Sequence, residues 1–110
     1  MKKIDKINCL NDSKGTTNLC RCYFKYDPKY WYFYIMDFSD KFLFGVEEFD
    51  FILNGFQIRK ISDLKKIELK DDLCIKMLEE KKPLDDLEVP SINLSSWKTI
   101  FESLKLLNIM

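Results

Sequence analysis

Apolar and polar residues alternate along the first two thirds of the chain, and the period lengthens after Lys70. Between Thr16 and Tyr26, Cys20, Cys22, Phe24 and Tyr26 alternate with Arg21, Tyr23 and Lys25, the two-residue period of a half-buried strand. Asp27-Pro28-Lys29 ends the run, because proline cannot donate to a ladder. Tyr30 to Phe38 reads as a second strand, with Trp31, Phe33 and Ile35 on one face and Tyr30, Tyr32, Tyr34 and Met36 on the other. After the tight turn Ser39-Asp40-Lys41, Phe42 to Phe49 is a third strand, with Phe42, Phe44 and Val46 on one side. Asn54-Gly55 is a hairpin dipeptide, which starts the fourth strand at Phe56 and ends it at Ile61. The turn Ser62-Asp63-Leu64 leads to a fifth strand, Lys65 to Leu69. The first fifteen residues read as a polar stretch closing in the turn Asn11-Asp12-Ser13-Lys14-Gly15.

Beyond Lys70 the spacing is helical. Asp71 caps a helix in which Leu73 pairs with Met77 and Cys74 with Leu78, ended by Lys81, Lys82 and Pro83. An acidic linker of Asp85, Asp86 and Glu88 follows, closed by Pro90. Ser95 or Ser96 then caps a helix whose stripe is Trp97, Ile100, Phe101, Leu104 and Leu107. The predicted class is α+β: about five antiparallel strands in a small barrel or strongly bent sheet, with one or two C-terminal helices. The short turn before the last strand fits SH3-like and Sm-like barrels. One domain is expected over residues 1–110, strand-rich over about 16–70 and helical over about 71–108.

Composition agrees with a folded chain, at 46% hydrophobic and 33% charged. Fourteen of the sixteen aromatics lie between Tyr23 and Phe56, which places the core in the strands. Lys and Arg number 18, as do Asp and Glu, so no net field draws in nucleic acid or an anionic membrane. Residues 1–29 hold seven bases and three acids, whereas residues 30–64 hold three bases and six acids. With no apolar run of about 20 residues and no apolar segment behind Met1-Lys2-Lys3-Ile4-Asp5-Lys6, a cytoplasmic location is expected.

Chemistry is sparse. The chain has no His, which removes Ser–His and Cys–His nucleophile systems. Its three glycines are isolated, so there is no phosphate loop. Glu47-Glu48 would point to opposite sides of a strand, and Asp71-Asp72 and Asp85-Asp86 fall at a helix start and in a linker. No catalytic residue and no cofactor is expected. Among the four cysteines, Cys9, Cys20 and Cys22 could be grouped around a metal. The lone C-x-C pair and the shared face with Phe24 favour buried thiols and leave metal binding open.

Two stretches carry a resemblance. In Gly45 to Gly55, Asp50 and Asn54 have the spacing of the first Sm motif, where they flank a base-binding loop. The stacking position falls on Ile52, and Arg59 is followed by Lys60 where the second motif has Gly. Asp37-Phe38-Ser39-Asp40-Lys41-Phe42-Leu43, Asn54-Gly55-Phe56 and Ile61-Ser62-Asp63-Leu64 also resemble small uncharacterised bacterial proteins with an Sm-like barrel. Those often continue past a helix like Ser95 to Leu107 into a second barrel, so the chain is either a one-barrel relative or a fragment. The resemblance implies a fold and says little about activity.

Two functions stay in view. The first is a non-enzymatic protein-interaction module of the inhibitor or immunity type. It would meet a basic partner such as a toxin through Tyr30, Tyr32, Tyr34, Glu47, Glu48 and Asp50, or self-associate through Trp97, Ile100, Phe101 and Leu104. The alternative is an Sm-like RNA-binding domain using Asp50, Asn54 and Arg59.

Overall fold

The computed structural model describes residues 1–49, 52–69 and 87–107. The helix expected from Asp71 lies outside them, as do Asp50 and Cys74. Five antiparallel strands form one sheet: β1 (Leu19–Phe24), β2 (Trp31–Phe38), β3 (Phe42–Phe49), β4 (Ile52–Lys60) and β5 (Leu64–Leu69). Their spatial order is β4-β3-β2-β1-β5. β4 and β5 are therefore its edges, and among the described residues no ladder joins them: the sheet is open, where a closed barrel was one of the two expected forms. A helix, α1 (Lys3–Ser13), precedes the strands and a second, α2 (Trp97–Leu106), follows them, which makes the fold α+β. No helix among the described residues is long and apolar enough to cross a membrane.

Two elements differ from the sequence expectation. The first fifteen residues contain α1, because Cys9, Leu10 and Ser13 pack inward together with half-buried Lys6 and Ile7. A face that mixes Lys, Cys and Ser with two apolar residues does not read as an amphipathic stripe. Asn54-Gly55 is not a hairpin turn either. It lies within β4, where Val46 pairs with Phe56 and Glu48 with Leu53, so two residues of β4 oppose one of β3. Gly55 has φ 95°, the left-handed backbone a glycine bulge requires. The turn before the last strand is a single 3-10 turn, Ile61–Asp63.

The sheet is covered on both faces. On one, Cys20, Cys22 and Phe24 of β1, Phe33 and Ile35 of β2, and Ile67 of β5 pack under Leu10 of α1. On the other, Phe42 and Phe44 of β3 lie under Ile92, Leu94 and Ile100, while Tyr34, Leu19 and Val46 lie beside Leu87. β2 is thus apolar on both sides, which explains its nearly unbroken aromatic run. Ser96 caps α2: its Oγ accepts from the Thr99 N–H at 3.2 Å, and Thr99 Oγ1 accepts from the Ser96 N–H at 3.0 Å. Ser39 Oγ donates to the Leu94 carbonyl at 2.8 Å, tying the C-terminal segment to the β2–β3 turn.

Candidate interaction site

Alternation along β1 places Arg21 and Tyr23 opposite the face that buries Cys20 and Cys22. The registers set Tyr32 and Glu68 across from Arg21 and Lys66 across from Tyr23. A charged aromatic plate results on the outer side of β5, β1 and β2. Arg21 Nη1 donates to Glu68 Oε1 at 3.1 Å and Nη2 to the Tyr32 hydroxyl at 3.3 Å, while the Tyr23 hydroxyl donates to Glu68 at 3.0 Å. The guanidinium lies 4.9 Å from the Tyr30 ring and 5.6 Å from the Tyr32 ring. Tyr30 meets Tyr23 and Tyr32 edge to face, at 5.5 and 5.2 Å between centroids. Buried Arg21 Nε has no hydrogen-bond partner among the described residues, while the guanidinium faces the two rings.

Where β1 ends and β2 begins, the plate borders a cleft of about 670 Å³. Tyr23, Tyr30, Trp31 and Tyr32 give it aromatic walls, and Glu47, Glu48 and Lys65 bring charge. Glu47 and Glu48 alternate along β3 as expected, but the cleft wraps the strand ends and both border it. They are only 9% and 7% exposed. The floor is fixed by Asp27, whose Oδ2 accepts from Arg59 Nη2 and from Trp31 Nε1, each at 2.7 Å. Arg59 also stacks on Phe24 at 3.9 Å, joining the end of β4 to the β1–β2 loop. Its hydrogen bond, then that of Trp31, holds the Asp27 carboxyl below its ordinary value. Glu68 is also held low, first by the Tyr23 hydroxyl and then by Lys66.

The structure separates the residues that the sequence had grouped. Tyr30 and Tyr32 belong to the plate, but Tyr34 is 2% exposed beneath the C-terminal segment and is no surface contact. Glu47 and Glu48 do not form an acidic outer face; they line the cleft. Arg59, the expected RNA contact, is paired with Asp27 at 2.7 Å. Asp50 and the Asn54 side chain lie outside what is described. In the α2 stripe, Ile100 is buried against Phe42 and Phe44, and half-buried Leu104 packs at their margin. Trp97 and Phe101 stay about half exposed and stack at 6.0 Å. Arg21, Tyr23 and Glu68, absent from the sequence-derived site, complete the plate; their alternating positions were visible, but their cross-strand register was not.

A second concavity of about 470 Å³ collects Lys3 and Lys6 of α1, Lys41 of the β2–β3 turn and Lys60 at the end of β4, with Asp40 the one acid. None of the four lysines is in an ion pair among the described residues. No group of metal-ligating side chains occurs among the described residues, where Cys9, Cys20 and Cys22 are free thiols. Comparison with protein-family models, with curated proteins and with solved structures finds no match to this chain, so its function is read from its own residues.

Proposed function

We propose that the chain is a non-enzymatic protein-interaction module of the inhibitor or immunity type, which docks a partner across the Tyr–Arg plate. The observation that carries this reading is the plate itself. Arg21, Tyr23, Tyr30 and Tyr32 are the residue types that dominate interface energetics, and they are already held in place by ring contacts and by Glu68. Ordering that a free tyrosine would lose on binding has been met in the folded state. The adjoining cleft adds aromatic walls, with Glu47 and Glu48 at its border, to the surface a basic partner would meet. Absence of His supports action by binding rather than catalysis.

The barrel form belongs to the same proposal. The 3-10 turn before β5 and the Asp27–Arg59 clasp between β4 and the β1–β2 loop support an SH3-like or Sm-like barrel that is open between β4 and β5.

The test is a photo-crosslinking residue at position 30, followed by affinity measurement with the partner it captures. Tyr30→Ala is expected to weaken that purified complex by about tenfold or more, while Lys41→Glu leaves it unchanged. Equal affinity for wild type and Tyr30→Ala overturns the reading. The lysine-lined concavity favours a second reading, RNA binding through the backbone phosphates. In that case affinity for RNA falls steeply with salt, and Lys41→Glu weakens it while Tyr30→Ala does not.

A further inference from the structure

We propose that Cys9 and Cys20 form an oxidation site, at which a hydroperoxide converts the two thiols into a disulfide joining α1 to β1. Neither residue belongs to the plate or the cleft, so the proposal stands apart from the docking reading.

The placement follows from the elements. Cys9 and Ser13 lie one turn apart on α1 and share a face. That face packs on the sheet, where Cys20 of β1 is fully buried and its Sγ donates to Ser13 Oγ at 3.1 Å. Cys9 packs against the buried cluster that contains Cys20, so the two thiols and the Ser13 hydroxyl gather where α1 meets β1. Their surroundings divide the roles. Cys9 is partly exposed, and its neighbours Cys20 and then Ser13 lower its pKa from the ordinary thiol value. The thiol of Cys20 is pushed far up, first by its contact with Cys9 and then by burial. Cys22 is raised by burial and remains an apolar core residue.

The chemistry balances. The Cys9 thiolate attacks one peroxide oxygen and the O–O bond breaks. Cys9 becomes the sulfenic acid, and the departing hydroxide takes a proton to give water. The Cys20 sulfur then attacks the Cys9 sulfur, and the S–O bond breaks. Hydroxide leaves with the Cys20 proton as a second water. Two thiols have supplied two electrons to one peroxide, and the S–S bond is formed.

The test uses the full chain treated with stoichiometric hydrogen peroxide, quenched with an alkylating agent and mapped by mass spectrometry without reductant. The expected product has lost two hydrogens and holds a Cys9–Cys20 cross-link that reductant reverses. Before oxidation, Cys9 should alkylate more than about tenfold faster than Cys20. Cys9→Ser should abolish the link, while Cys74→Ser should preserve it. In Cys20→Ala, Cys9 should stop at a sulfenic acid trapped by dimedone. The proposal is overturned if the folded wild-type chain links Cys9 to Cys22 or Cys74 instead. It is equally overturned if Cys9 over-oxidises without a cross-link, or stays reduced; the wild-type map decides this even where a variant fails to fold.

Discussion

Asp27 shows how one loop carboxylate can organise a site. It accepts from Arg59 on β4 and from Trp31 at the start of β2, so a single oxygen sets both the cleft floor and the link across the sheet. Because the folded-state pKa of Asp27 is depressed, its stabilisation is fully present above the ordinary carboxylate value and is lost as pH falls through the folded value. Glu68 has the same sign. Thermal midpoints measured against pH should therefore drop on the acid side of about pH 4. Asp27→Asn should be less stable at neutral pH and show a shallower acid limb. An acid limb identical to wild type would mean that Asp27 contributes nothing through its charge. Tyr30, Tyr32 and Tyr34 teach the complementary lesson. Tyr32 and Tyr34 share one face of β2 and Tyr30 just precedes the strand, yet Tyr30 and Tyr32 hold Arg21 at the surface and Tyr34 is buried beside Leu19 and Val46. Alternation fixes a face but does not say how far along the strand the cover reaches.

At the scale of elements, two glycines in neighbouring strands act in different ways. Gly55 matters for its backbone, since φ 95° lets β4 absorb one extra residue and twist. Gly45 matters for space. A Cβ there would sit 3.2 Å from both Cβ and Cγ of Phe33 and 3.2 Å from the Tyr34 carbonyl oxygen. Phe33 is fully buried and cannot easily give way. Gly45→Ala should cost about 1–3 kcal/mol in urea unfolding, and an unchanged midpoint would show that β2 yields. Helix α1 lies at the other end of legibility. Its buried face includes Ser13, a residue that the sequence reads as part of a turn, and its inward-facing Cys9 looks polar-neutral until β1 is beside it.

At the scale of the whole molecule, the sheet is a middle layer, with α1 on one side and the segment from Leu87 through α2 on the other. Ile100 is the anchor of that second layer, 1% exposed against Phe42 and Phe44, whereas Leu106 is 87% exposed on the same helix. Ile100→Ala should destabilise by about 2–5 kcal/mol, and Leu106→Ala should stay within about 0.5 kcal/mol of wild type. Calorimetry on both variants checks the contrast; equal losses would mean that α2 does not dock as described.

By itself the sequence determined what local periodicity and steric punctuation can determine. That comprises the positions of β1, β2, β3 and β5, the inward face of Cys20, Cys22 and Phe24, and the capped start of α2. It also removed histidine-based chemistry, since no His is present. Tertiary structure alone decided which strands meet and in what register. Register is a long-range choice and brought Glu68 to Arg21, while the packing of loop and helix on the sheet brought Asp27 to Arg59 and Ser13 to Cys20. The plate, the cleft and the thiol pair all follow from those meetings.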